Sequence, residues 1–345
     1  MVRRIDKTEA LKLFQGANLL ELGEQANQIR WELHPQPVVS FVIDRNINYT
    51  NICISGCQFC AFYRPPGHPE GYLLNYEEIF AKIEELLQQG GTQILLQGGL
   101  NPKLNLKWFE ELFQEIKKNY PIHIHGLSPP EIFFLAQKEG LSIKEVLKRL
   151  KSAGLDTIPG GGAEILSERF RSRLSPRKVP AQGWLEVMET AHQLDIKTSA
   201  TMMFGSIETD EEIIDHLLLL RQLQDRTAGF IAFIPWSFQP KNTRLEHILP
   251  AGGVRYLRIL AISRLVLDNF ANLQASWVTQ GDKIAQTALF FGANDFGSTM
   301  LEENVVRSAG AEFRMSKEEI IRQIKTAGFI PVQRNAYYQI LKQFD

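Results

Sequence analysis

Beyond about residue 38, short runs rich in β-branched residues alternate with longer stretches whose apolar residues recur every three or four positions. VVSFVI at 38–43 predicts a first strand, leading straight into a loop that carries every cysteine of the chain. Asn75 and Glu78 then have capping-box spacing. Ile79, Ile83, Leu86 and Leu87 form the apolar stripe of a helix that Gly90-Gly91 should end. TQILLQGG, IHIHGLS and LDTIPGGG predict strands two to four, separated by a helix over about 104–118 and by helical segments between Pro130 and Gly154. KTSATMMFG, GFIAFIPW and NLQASWV predict strands five to seven. The helices among them run over 184–194, from Thr209 and Glu212 to Leu223, and over 254–267. A helix over 284–291, a short eighth strand end in GANDFG, and a helix capped by Ser316 and Glu319 and ending at Gly328 complete the series. Ahead of it, a helical segment from near Thr8 to about Leu33 should pack outside the first strand.

Eight strand–helix alternations imply an α/β fold with parallel strands: a single TIM-type (β/α) barrel, full or nearly full. Its strands read as apolar enough to be covered on both faces. The expected divisions are an N-terminal helical segment at 1–37, the barrel at 38–300 and a C-terminal helical extension at 301–345 that completes it. Polar and glycine-rich clusters fall repeatedly at predicted strand ends, where such barrels collect function. They are the cysteine loop, Gln97-Gly98-Gly99, the stretch from His125 to Ser128, Gly160-Gly161-Gly162, Gln239 and Asn294-Asp295.

Composition narrows the field. Basic and acidic residues balance at 38 and 39, so charge gives no reason to expect nucleic acid. No apolar run is long enough to enter and span a bilayer. The first residues hold two arginines with no apolar core behind them, which does not read as an export signal. Reduced thiols in a cytoplasmic protein are expected rather than disulfides.

The cysteines are Cys53, Cys57 and Cys60, spaced C-x3-C-x2-C. Inert buried thiols fit such clustering poorly. A zinc site would want a fourth Cys or His close by, and His68 alone is near. A ferredoxin-type cluster takes four cysteines, and the chain has three. Three thiolates on an iron–sulfur cube would leave one iron open for chemistry.

With Phe59 as the aromatic residue before the last cysteine, the motif resembles the signature of the radical S-adenosylmethionine (SAM) superfamily. The resemblance implies a [4Fe–4S] cluster on Cys53, Cys57 and Cys60, with SAM chelated to the open iron. It implies a 5′-deoxyadenosyl radical that takes a hydrogen atom from the substrate, and an electron donor such as flavodoxin or ferredoxin. Gln97, Gly98 and Gly99 match the motif that meets the methionyl group of SAM, although a turn needing positive φ would read the same. Glu164 matches a position facing the SAM ribose, with a plain polar loop residue as the alternative.

Toward the substrate, His125, Ser128 and Asn294 are candidate binding residues, and Arg64 a candidate partner for a carboxylate. His123 shares the strand face of His125. Asp295 and Glu131 are the carboxylates to test first as catalytic base. Met202-Met203 read as core or pocket wall. Glu302 and Glu303 should open a helix, where acidic groups complement the dipole. The stretch SWVTQGDKIAQTALFFGANDFGSTMLEENVVRSAGA at 276–311 resembles the radical SAM group that contains dehypoxanthine futalosine cyclase, aminofutalosine synthase and the second subunit of the deazaflavin FO synthase. Within that group, SWVTQG and GANDFGSTMLEENVV are most similar to the cyclase. IPWSFQP at 234–240 and GFIPVQRN at 328–335 extend the resemblance over nearly the whole chain. It implies a reaction of menaquinone formation: the ribose loses a hydrogen atom, the carbon radical attacks the benzoate ring, and loss of one electron and one proton restores aromaticity. A related synthase joining two fragments and a non-catalytic iron–sulfur electron-transfer protein are the alternatives.

Overall fold

The computed structural model describes residues 4–344, so the reading of the first three residues lies outside the described part. Two helices, α1 (Lys7–Gly16) and α2 (Leu19–Leu33), lead to strand β1 (Val38–Val42), which breaks at Ile43 and resumes as β2 (Asp44–Asn48). Then come α3 (Tyr76–Gln88), β3 (Gln93–Gln97), α4 (Leu106–Asn119), β4 (His123–Gly126), α5 (Pro129–Glu139), α6 (Ile143–Ala153) and β5 (Thr157–Ile158). The chain continues through α7 (Glu168–Leu174), α8 (Ala181–Gln193), β6 (Lys197–Phe204), α9 (Asp210–Thr227), β7 (Phe230–Ser237), α10 (Gly253–Val266), β8 (Asn272–Leu273), α11 (Trp277–Ala288) and β9 (Asp295–Ser298). Helices α12 (Val305–Ser308) and α13 (Lys317–Thr326) precede a hairpin of β10 (Ile330–Arg334) and β11 (Ile340–Gln343).

Strands β2 to β8 form one parallel sheet in sequence order. β1 pairs in parallel with β10 on one side and β9 on the other, and β11 lies antiparallel on β10. A single bridge, Gln274 with Asp295, joins the end of β8 to β9. Since β1 runs on into β2, these pairings carry the curled sheet back toward its first strand. The α/β barrel expectation therefore holds. The hairpin was not expected: the C-terminal segment is two helices followed by two strands.

Local chemistry accounts for the element starts. The capping boxes at Asn75/Glu78, Thr209/Glu212 and Ser316/Glu319 are all formed. α1 starts at Lys7, capped by Asp6 rather than Thr8, because the Asp6 carboxylate accepts the Glu9 amide N–H at 2.9 Å. The seventh strand is shorter than NLQASWV suggests. Trp277 already belongs to α11, and its indole N–H donates to the Ser298 carbonyl at 3.0 Å. α11 also starts earlier than 284, with a kink at Gly281 (φ 80°).

The strands alternate, but not as expected. Ile94, Leu96, Ile124, Ile158, Met202 and Phe233 are buried, and with Ile79, Ile83 and Leu86 of α3 they belong to one apolar core. Each such side chain contributes about 1.5–3 kcal/mol. The other face carries Asp44, Asn46, Gln93, Gln97, His125, Ser199, Thr201 and Gln274, and these line a cavity of about 290 Å³. Leu95, Ile231, Ile234 and Trp236 share that wall, so the inner face is mixed rather than continuously apolar, and the barrel encloses a cavity instead of packed side chains.

Candidate functional site

The cysteine loop leaves β2 and is tied down along its length. The Cys53 amide donates to the Arg64 carbonyl (2.9 Å), Ile54 to Leu100 (3.1 Å) and Gln58 to Leu174 (2.8 Å). All three thiols are free and line one pocket of about 260 Å³. Among the described residues, no three His, Cys, Asp or Glu side chains converge on a point that would suit a single ion. His68 is exposed and spends Nδ1 accepting the Glu70 amide N–H at 3.2 Å. His68 does not line the thiol pocket, so it offers the three thiols no fourth zinc ligand there. Three thiols spread around one pocket suit a larger group with several metal corners. Burial pushes the Cys57 thiol up and the Cys60 thiol to about 11, a penalty that bound iron would remove.

The glycines below the loop are required by close approach. A side chain on Gly98 would start 2.5 Å from the Tyr49 ring, and one on Gly99 would start 2.8 Å from the Cys53 β-carbon. Neither residue has positive φ, so the plain turn explanation fails here. Glu131 holds this corner. Its Oε1 accepts the Tyr49 hydroxyl (2.6 Å) and the Gly98 amide (3.1 Å). Its Oε2 accepts the Ser128 amide (2.7 Å) and the Ser128 hydroxyl. Burial pushes the Glu131 carboxyl up, and these four donors pull the other way. Glu131 and Ser128 line the thiol pocket, but their polar groups are spent on each other and on Gly98. This is a positioning arrangement, not a free base.

Glu164 lines the same pocket at a strained φ of 41°. Its Oε1 accepts the Lys178 ammonium at 2.9 Å, while Oε2 is buried with no hydrogen-bond partner. Lys178 also stands 5.5 Å from the centre of the Phe59 ring. Burial works against the Lys178 charge, yet Glu164 and Cys57 together more than offset it and the ammonium pKa rises. A carboxylate oxygen with no hydrogen bond, 3.8 Å from the Arg171 guanidinium, glycines pressed against Cys53 and three free thiols in one pocket fit a cluster with a polar organic co-ligand. Lys178 was not anticipated, and no spacing in the sequence marks it.

The barrel cavity adjoins this pocket: Gln97, Gly161, Gly162 and Trp236 line both. His125 faces the larger cavity, bonded through Nδ1 to the Thr157 hydroxyl at 2.7 Å. Burial holds its pKa near 3, so the ring is neutral. His123 shares that hydroxyl at 2.7 Å and stays outside both cavities. Met203 lines the thiol pocket and Met202 sits in the core. Asp44 and Arg334, both on the larger cavity, were missed. The alternation D-R-N-I-N signals Asp44, because the first strand runs past residue 43.

Three expected site residues are employed elsewhere. Arg64 donates through Nε to Glu70 (2.7 Å) and through Nη1 to the carbonyls of Ala61, Phe62 and Tyr63, stapling the cysteine loop. Asn294 accepts the Arg264 guanidinium (2.9 Å) and the Leu273 amide (2.9 Å), and donates to Asn272 (2.9 Å). Asp295 has no exposed surface and forms a two-pronged pair with Arg334 at 2.6 and 3.0 Å. None of the three lines either cavity. Glu303 does cap α12, accepting amides of Val305, Val306 and Arg307, while Glu302 pairs with Lys82 and Arg45.

Comparison with known proteins agrees with this geometry. Residues 47–220 match the Radical SAM superfamily, and residues 227–344 match the CofH/MqnC C-terminal region. The chain is 45% identical to the cyclic dehypoxanthine futalosine synthase of Halalkalibacterium halodurans, over 99% of this chain and 93% of that one. It is 43% identical to the Streptomyces coelicolor protein of the same name, over 99% and 87%. It is also 41% identical to the 5-amino-6-(D-ribitylamino)uracil–L-tyrosine 4-hydroxyphenyl transferase of Methanocaldococcus jannaschii, over 99% and 98%. Among solved structures, methylornithine synthase shares the fold with a TM-score of 0.74 at 18% identity, covering 95% of this chain and 94% of that one. The hydrogenase maturase HydG of Carboxydothermus hydrogenoformans does so with 0.77 at 18%, covering 97% and 78%. Among the described residues no helix is long and apolar enough to cross a membrane. The chain belongs to the radical SAM superfamily, enzymes that work with a [4Fe–4S] cluster and SAM.

Proposed function

We propose that the chain cyclises dehypoxanthine futalosine to cyclic dehypoxanthine futalosine. The observation that carries this reading is where the cyclase-like residues lie. Ser276, Trp277, Val278 and Thr279 of SWVTQG line the barrel cavity, and so do Ser298, Met300, Glu303, Val305 and Val306 of GANDFGSTMLEENVV. The stretches that resemble the cyclase are therefore cavity wall, which supports a part in substrate choice. Near-full-length identity of 45% and 43% to two proteins of that name supports it further.

On this reading Cys53, Cys57 and Cys60 hold the cluster. Gln97, Gly98, Gly99 and Glu164 hold SAM, and Phe59 shapes the loop between them. When bound, cluster and SAM supply the 5′-deoxyadenosyl radical that takes a ribose hydrogen. The barrel walls keep water from the reacting carbon. Neutral His125 and the side chains of Asn46, Ser199 and Gln274 offer hydrogen bonds to ribose hydroxyls. Arg334, the arginine on that wall, replaces Arg64 as the basic residue to test against the benzoate, with its guanidinium already held on Asp295. Asp44 and Glu303, the carboxylates on that wall, are further groups to test for the departing proton, each at an oxygen already hydrogen-bonded: Asp44 accepts from Gln93 and Ser298, and Glu303 from the α12 amides.

A second reading follows from the 41% identity to the hydroxyphenyl transferase, which joins two substrates rather than closing one. Anaerobic incubation of cluster-loaded protein with SAM, dithionite and dehypoxanthine futalosine decides between them by mass spectrometry. The expected product is two hydrogens lighter than the substrate, formed together with 5′-deoxyadenosine. Turnover of tyrosine with the ribitylaminouracil, and none of dehypoxanthine futalosine, would replace the cyclase with the transferase.

A further inference from the structure

His123 and His125 stand two residues apart on β4, so both rings lie on the inner face of the sheet. His125 reaches the cavity wall, level with Leu95 and one pleat below Gln97, which lines both pockets. His123 lies one pleat lower, outside both cavities, edge-to-face with Tyr337 at 5.1 Å between ring centres. Thr157 of β5 stands between the two rings and is fully buried. Its hydroxyl oxygen is 2.7 Å from His123 Nε2 and 2.7 Å from His125 Nδ1. A hydroxyl has a single hydrogen to donate. One ring must therefore donate its N–H to the Thr157 oxygen while the other accepts the Thr157 hydrogen. As neutral rings, the two are forced into the same tautomer. Burial keeps them neutral, with pKa values of about 4 for His123 and about 3 for His125. Asp156 and Lys117 face the first ring, and His123 and Arg334 the second. At the outer end, His123 Nδ1 is 3.9 Å from Asp156, a half-buried carboxylate that Lys117 pairs at 2.5 Å. At the inner end, with Nδ1 on Thr157, Nε2 is the His125 nitrogen left to face the cavity.

We propose that His125, Thr157 and His123 form a relay that carries the proton lost from the substrate ring to the floor of the barrel and out at Asp156. On the cyclase reading, on which this rests, the cyclised ring gives one electron to a one-electron acceptor of the iron–sulfur class, which is reduced by one. The ring is then cationic and a strong acid, so a neutral imidazole is base enough. Its C–H bond breaks with the electron pair staying in the ring, and His125 Nε2 takes the proton. The His125 Nδ1 proton passes to the Thr157 oxygen, the Thr157 hydrogen to His123 Nε2, and the His123 Nδ1 proton to Asp156. That last contact is of the kind that tightens when a site is occupied. One proton enters and one leaves, which spares either buried ring a net charge. His125 touches the substrate, whereas Thr157 and His123 are positioning residues that act through it. The ribose keeps Asn46, Ser199 and Gln274 as partners.

The test compares Thr157→Val, which keeps the shape and removes the hydroxyl, with Thr157→Ser and His123→Gln. Cluster-loaded protein is followed through a single turnover with SAM, dithionite and dehypoxanthine futalosine. Hydrogen abstraction precedes the relay, so the early ratio of cyclised product to 5′-deoxyadenosine should fall about tenfold or more in Thr157→Val and His123→Gln. Thr157→Ser should restore it. A native ratio in either impaired variant, the signature of a purely structural loss, would overturn the relay, as would a serine variant no better than the valine. The tautomers give a readout without turnover. In nitrogen NMR of isotope-labelled histidines at neutral pH, His123 and His125 should both carry their proton on Nδ1, and Thr157→Val should shift both. Any other pair of tautomers, or a charged ring, would overturn the relay. A native chain that leaves dehypoxanthine futalosine unchanged overturns the substrate reading alone, and the tautomers then decide the relay.

Discussion

The Asp295 carboxylate accepts hydrogen bonds from both prongs of Arg334, from the Ser40 hydroxyl and from the Gly297 amide. Replacing it with alanine strands a buried guanidinium, which typically costs about 3–5 kcal/mol. Asp295→Ala should therefore lower the urea midpoint strongly. A variant of native stability that had lost turnover alone would restore Asp295 as a catalytic base. Cys57→Ala has the opposite profile. The change is small, and the site reading makes the thiol a ligand. Iron content and SAM cleavage should fall together while the far-ultraviolet circular dichroism stays native. Full iron occupancy and cleavage in that variant would remove Cys57 from the ligand set.

Helices α8 and α9 each bury a histidine on the face toward the sheet. His192 hydrogen-bonds the hydroxyls of Thr227 and Thr198, and His216 Nδ1 accepts the Leu166 amide. Burial holds both pKa values near 3, against about 6.5 in an unfolded chain. Between those values the unfolded chain binds more protons, so stability falls as pH falls from about 6.5 toward 3, by roughly 1.4 kcal/mol per pH unit for each histidine. Denaturant midpoints at pH 7 and pH 5 check this, and His192→Gln should flatten the slope. Invariant midpoints would mean the rings are protonated in place. At the other end of α9, Thr209→Ala removes the hydroxyl that accepts the Glu212 amide, and should cost about 1 kcal/mol in the same assay. The helices were legible because caps and stripes are local: Asn75, Thr209 and Ser316 each announce a start within four residues. The inward strand faces were not. Asp44 and Arg334 become cavity wall only through pairings between residues far apart in the chain, and no local pattern separates a packed barrel interior from a hollow one.

Closure ties the whole molecule together through the C-terminal segment, as an extension that completes the barrel implies, but through strands rather than a helix alone. β10 pairs with β1, Arg334 neutralises Asp295 of β9, and the Phe344 ring lies 5.6 Å from that of Phe41. The same C-terminal segment supplies Arg334, Ala336 and Tyr338 to the cavity wall. Removing it would expose one edge of β1, leave Asp295 as an unpaired buried carboxylate and open the cavity. The three expected divisions should thus behave as one cooperative unit. Thermal unfolding of the intact chain, followed by circular dichroism and by tryptophan fluorescence, should give a single transition with coincident midpoints. A chain ended at Gly328 should unfold at a clearly lower temperature, because it loses a β-ladder and a buried ion pair at once. Two separated transitions in the intact chain, or an unchanged midpoint after truncation, would make the C-terminal segment an independent layer whose contacts do not hold the barrel.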